Sequence, residues 1–114
     1  MKLQLQGQHL RLRIDESEFS VLRAGATLDN TTTLGTCAWR QTLCQADAVA
    51  PALHATGGHC AIAIPKHLID AYAARLPCRD GLSMRVQPAG GQALDLVLEV
   101  DVRDSIRTRG PRRP

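Results

Sequence analysis

Leu3 and Leu5 alternate with Gln4 and Gln6, and beyond Gly7 the residues Leu10, Leu12 and Ile14 alternate with His9, Arg11 and Arg13. Successive side chains on a strand point to opposite faces. Period-two patterning on both sides of a glycine therefore predicts a β-hairpin with one aliphatic face. Its other face shows His9, Arg11 and Arg13. The pattern then changes. Asp15 followed by Glu18 forms a capping-box sequence, with Ile14 and Phe19 placed to pack across the cap. Leu22 continues that face, and Gly25 suits the left-handed position that ends a helix. A short helix is predicted over residues 16–24.

The middle of the chain is strand-rich and less sharply punctuated. Residues 26–34 combine threonines with an Asp29-Asn30 turn signal. Residues 36–44 read as a strand with Cys37, Trp39, Gln41 and Leu43 on one face and Ala38, Arg40, Thr42 and Cys44 on the other. Trp39 shares its face with Leu43 and is expected in the core. Residues 47–55 are alanine-rich and contain Pro51, which predicts an irregular or edge strand. Gly57-Gly58 is a turn, and residues 59–64 form another strand. Pro65 can open a second helix, where its missing N–H costs nothing. Leu68, Ile69, Tyr72 and Leu76 make its apolar stripe, and Pro77 ends it. After a turn over 78–81 comes a closing hairpin. Leu82, Met84 and Val86 lead to a turn over 88–91. Leu94, Leu96, Leu98, Val100 and Val102 then alternate with Asp95, Val97, Glu99 and Asp101.

The acidic face of that last strand complements Arg11 and Arg13. The two strands are expected side by side, with ion pairs worth about a few tenths of a kcal/mol each. The predicted fold is α+β: an antiparallel, hairpin-rich curved sheet of about six to eight strands with two short helices. A strand runs straight into a helix at Ile14-Asp15 and again at Ile64-Pro65. That hints at two related halves, although the residues do not match closely enough to establish a repeat.

Composition narrows the picture. The 114 residues suit one core. With one Phe, one Trp and one Tyr, that core must be mostly aliphatic. No stretch approaches the roughly 20 apolar residues of a membrane span, and the alternating N-terminus lacks a signal peptide's apolar run. A cytoplasmic protein with four reduced cysteines is expected. The net charge of +3 is unevenly placed. Residues 103–114 hold five arginines and one aspartate, while residues 1–102 hold nine basic and ten acidic groups. A domain over 1–102 is expected, followed by a basic, disordered tail over 103–114.

The opening Met1-Lys2-Leu3-Gln4-Leu5-Gln6-Gly7, then Leu10-Arg11-Leu12-Arg13-Ile14 and Ser17-Glu18, resembles the start of a group of small bacterial proteins, domain-of-unknown-function family 7009. The Ile62-Ala63-Ile64-Pro65 step and the closing strand are also similar to theirs. The likeness covers most of residues 1–102, with the N-terminal segment its specific part. The basic tail departs from the acidic ends of the group. The resemblance implies a bacterial, cytosolic protein. It implies no activity and supplies no active-site residues.

No motif fixes a biochemical function. Cys37 and Cys44 are an odd number of residues apart on one strand, and neither a Cys-x-x-Cys nor a His-x-x-x-His occurs, so a zinc site is disfavoured. His59 and Cys60 are strand neighbours on opposite faces and cannot activate one another. Cys60 has the parity of Ile62 and Ile64, as a small core residue would. No Gly-x-Ser-x-Gly elbow or phosphate-binding glycine loop is present. No catalytic residue, metal or cofactor is assigned. The leading expectation is a non-catalytic protein-interaction or structural module, its partner another protein or a second copy of the chain. One alternative is a small-ligand or enzymatic pocket around Arg40, His54, His59 and Tyr72. Another is weak nucleic-acid association through Arg107, Arg109, Arg112 and Arg113, which the lack of accompanying aromatics disfavours. His9, Arg11 and Arg13 remain candidates for binding an anion or acidic partner, unless the last strand pairs with them.

Overall fold

A computed structural model of the chain describes residues 1–88 and 90–102. Its elements run β1 (Lys2–Gln6), β2 (His9–Asp15), α1 (Glu16–Arg23), β3 (Leu28–Leu34), β4 (Cys37–Ala46), β5 (Ala52–Thr56), β6 (His59–Pro65), α2 (Lys66–Arg75), β7 (Leu82–Val86) and β8 (Leu94–Asp101). The fold is α+β. It has two four-stranded sheets, ordered β1-β2-β8-β7 and β3-β4-β6-β5. The expected all-antiparallel sheet is corrected on two counts. The strands divide between two sheets, and the central pair of each sheet, β2 with β8 and β4 with β6, is parallel. The four hairpin pairs are antiparallel.

The reason lies in the hairpins. In each, the second strand takes the sheet centre and the first takes an edge. Leu10, Leu12 and Ile14 of β2 and Leu96, Leu98 and Val100 of β8 are buried, so their aliphatic faces belong mid-sheet. Strands from opposite halves of the chain meet there running the same way, which a helical crossover permits. Each half thus runs strand, strand, helix, strand, strand, and gives one hairpin to each sheet.

The repeat that the residues only hint at is explicit in the register. Gly7 and Gly57 both turn with a φ of 55°. From that point His9 corresponds to His59, Leu12 to Ile62, Ile14 to Ile64, Phe19 to Ile69 and Leu22 to Tyr72. Each parallel pair opens on an equivalent bond. Asp95 N–H donates to the Gln8 carbonyl at 2.9 Å, and Arg40 N–H donates to the Gly58 carbonyl at 2.7 Å. In the second hairpins, Leu28 lies opposite Leu43 and Leu82 opposite Leu98. Burial is repeated where identity is not.

One core joins both sheets and both helices. Tyr72 is fully buried in it. Its hydroxyl oxygen accepts the Val100 N–H at 3.1 Å, and Phe19 meets its ring edge-on at 5.8 Å. Helix α1 is closed at both ends as expected. Asp15 accepts the Glu18 N–H at 2.7 Å, and Glu18 Oε1 accepts the Asp15 N–H at 3.0 Å. Glu18 Oε2 also takes the Met1 ammonium at 2.6 Å. At the other end Gly25, with φ 95°, and Ala26 donate to the Leu22 and Val21 carbonyls in a Schellman arrangement.

Three local expectations shift. Asp29-Asn30 is no turn but part of the first half of β3. Arg40 holds Asp29 and Gln41 holds Asn30 across the strand pair, which outweighs turn propensity. Pro65 closes β6 and serves as the α2 N-cap without a side-chain cap bond. Trp39 is not in the core; it is 48% exposed. Its strand face is buried only from Gln41 onward. Residues 47–55 meet their expectation through β5, an edge strand.

Two stability predictions follow from these contacts. Glu18→Ala removes a reciprocal cap and an ion pair, and should lower the unfolding free energy in urea by about 1–2 kcal/mol. Glu18→Gln should lose less. Gln45 has a buried Oε1 without a hydrogen-bond partner among the described residues, at the position equivalent to Val100. Gln45→Val should therefore raise stability by about 1 kcal/mol in the same assay.

Candidate functional site: an uncharged apolar cleft

The helices pack against each other and against both sheets near the ends of β2 and β6. The opposite end of the inter-sheet space, where β2, β4, β6 and β8 begin, is open. A cavity of about 370 Å³ lies there. Its lining comes in equivalent pairs from the two halves: Leu3 with Leu53, Leu5 with Ala55, Leu10 with Cys60, and Leu94 with Trp39. Gln41, Gly57 and His59 also contribute. The second half supplies Ala55 and Cys60 where the first supplies Leu5 and Leu10. These smaller side chains leave the space unfilled. Leu5 is 54% exposed beside the half-exposed Trp39.

The turns at this end are uncharged. The hairpin turns Gly7-Gln8, Gly35-Thr36 and Gly57-Gly58, and the connection from Gln87 to Ala93, contain no ionisable side chain. Gly58 is required for the close approach of the central strands, because a Cβ there would stand 2.4 Å from the Ala38 carbonyl oxygen. Burial pushes the Cys60 thiol above its ordinary pKa. It therefore lines the cleft as a small neutral group rather than a nucleophilic thiolate. Of the polar residues at the cleft wall, Gln41 is the buried one, 5% exposed. Its Oε1 accepts the Asn30 Nδ2 amide at 2.9 Å, which leaves its own amide N–H groups as donors.

The residues singled out from the sequence lie elsewhere. His9, Arg11 and Arg13 share the outer face of the first sheet, where β8 does pair with β2. His9 Nδ1 is 3.5 Å from Asp95, and Arg11 and Arg13 lie 3.5 and 3.6 Å from Glu99. Arg85 also donates to Asp95, at 3.1 Å. Sheet complementarity thus accounts for that charged face. Arg40, His54 and His59 share the outer face of the second sheet by register, but Tyr72 is in the core, so the four do not form one pocket. Arg40 hydrogen-bonds Asp29 through Nε at 2.9 Å and holds that carboxyl below the usual carboxylate range. His59 Nε2 lies 3.0 Å from Thr42 Oγ1. Among the described residues no three His, Cys, Asp or Glu side chains gather to hold a metal. Arg107, Arg109, Arg112 and Arg113 lie outside the described residues.

Sequence reasoning missed the cleft. Leu3, Leu5, Leu53 and Leu94 alternate like any core residue, and only the missing cover reveals their role. The usable signal was the set of turns without charge.

A family model described as a family of unknown function (DUF7009) matches residues 1–105, and the chain belongs to that family. No curated protein and no solved structure matches it.

The thiols provide a direct check of the cleft. Iodoacetamide near neutral pH should alkylate exposed Cys37 well before Cys60. Cys60 should speed up only as the pH rises past the ordinary thiol range of about 8.5. Peptide mass spectrometry after timed quenching reads both rates, and equal rates would contradict the burial of Cys60.

Proposed function

We propose that this protein is a non-catalytic interaction module whose recognition surface is the uncharged, apolar end between its two sheets. The observation that carries the reading is the cleft itself, with Trp39 and Leu5 half-exposed at an end that none of the described elements covers. Apolar area is worth roughly 25 cal/mol per Å² when removed from water, and aromatic anchors in such settings dominate binding energy. On the first sheet's outer face His9, Arg11, Arg13 and Arg85 are already engaged with Asp95 and Glu99. Recognition at the open end would rest on shape and apolar contact rather than on charge.

In this reading residues 1–102 form the module and residues 103–114 are an appended basic tail. The module works in a bacterial cytoplasm, where its four thiols stay free.

Site-specific photocrosslinking in the producing cells tests the reading. Benzoylphenylalanine at Leu5 should capture a partner, and Leu53→Asp should abolish the capture. The same probe at Arg11 on the charged outer face should not capture it. The partner, identified by mass spectrometry and purified, should bind with little dependence on salt. Capture from position 11 alone, or binding that collapses with modest salt, would overturn the proposal.

A further inference from the structure

The two halves act as controls for one another, because each position has an equivalent in the same chain. Asn30 lies opposite Gln41 in the second sheet, and their equivalents in the first sheet are Met84 opposite Leu96. The fold therefore accommodates an apolar pair at this place. One half instead carries a hydrogen-bonded amide pair, with Gln41 95% buried by its 5% exposure and lining the cleft. Burying an amide costs free energy unless its groups are bonded. Asn30 satisfies only the Gln41 oxygen. The Gln41 N–H groups remain as donors at the wall of an otherwise apolar cavity.

Size and charge narrow the occupant. A volume of about 370 Å³ lies within the roughly 300–1,000 Å³ of small-molecule sites. Among the described residues no Lys or Arg lines the cavity to hold a carboxylate or phosphate, the His59 ring Nε2 is engaged with Thr42 Oγ1 at 3.0 Å, and Cys60 is a neutral thiol there. A second copy presenting the same end would be a poor filler. Two concave surfaces facing each other leave the space between them empty, and voids forfeit packing energy.

We propose that the cleft holds a small, uncharged, mainly apolar molecule, with Trp39 as one wall and Gln41 donating a hydrogen bond to its single acceptor. This rests on the reading of the open end as the recognition surface and names what occupies it.

The test uses the full chain and the neutral fluorescent probe N-phenyl-1-naphthylamine. Probe emission should rise saturably to one equivalent. 2-Decanone, neutral with one carbonyl acceptor, should displace the probe, and decanoate should not. Ala55→Phe fills the cavity and should lower probe affinity at least about tenfold without changing the melting curve. Ala55→Leu, which restores the Leu5 equivalent, should give a smaller loss and covers the case where the larger side chain disturbs folding. Asn30→Met with Gln41→Leu copies the first sheet. It should leave the probe bound while weakening 2-decanone by about threefold to tenfold, the worth of one hydrogen bond. Absence of saturable binding, indifference to both Ala55 variants, or equal displacement by decanoate would overturn the inference. Photocrosslinking from Leu5 to a protein, without any probe binding, would also overturn it while leaving the interaction-module reading intact.

Discussion

The parallel pairing of β2 with β8, and of β4 with β6, joins strands from opposite halves of the chain. Neither half can complete a sheet alone, because its two hairpins belong to different sheets. Each helix leaves a central strand of one sheet and leads to an edge strand of the other. The single core, the closeness of the two helices and the ion pairs across β2 and β8 all presuppose these two central pairings. They are also non-local, so both halves must be present before either apolar face is covered.

The same exchange explains why the molecule is closed at one end and open at the other. The central strands all begin at the hairpin turns and run toward the helices. Helical side chains such as Phe19, Leu22, Ile69 and Tyr72 fill the inter-sheet space where those strands end. Among the described residues no helix lies where they begin. The inner faces there must be covered by their own side chains or remain partly open, and Ala55 and Cys60 are too small to close the gap.

Much of this was legible from residues. The hairpin around Gly7, the Asp15–Glu18 cap, the Gly25 stop and the neighbouring of Arg11 and Arg13 with Glu99 are local or charge-encoded, and the structure shows each of them. Strand direction was not legible, because alternation of Leu94, Leu96 and Leu98 is the same whichever way the neighbour runs. Nor was the division into two sheets, which depends on where the helices send the chain. Trp39 misled for a related reason. Parity placed it correctly on the face of Leu43, but parity cannot say how far along the strand the covering layer extends.

Comparison of equivalent positions locates the asymmetry. Toward the helices the halves mostly exchange one large apolar side chain for another, Leu12 for Ile62, Phe19 for Ile69 and Leu43 for Leu98, with Gln45 in place of Val100 the polar exception. Toward the turns they exchange large for small, Leu5 for Ala55 and Leu10 for Cys60, or apolar for polar, Met84 and Leu96 for Asn30 and Gln41. A fold under pressure only to be stable would keep large apolar groups at both ends, since each buried methylene is worth about 0.8 kcal/mol. Apart from Gln45, the departures gather around one cavity and lie in the second sheet, while the first sheet shows the apolar solution to be compatible with the backbone; that is the pattern the proposed binding site would leave on a repeated scaffold.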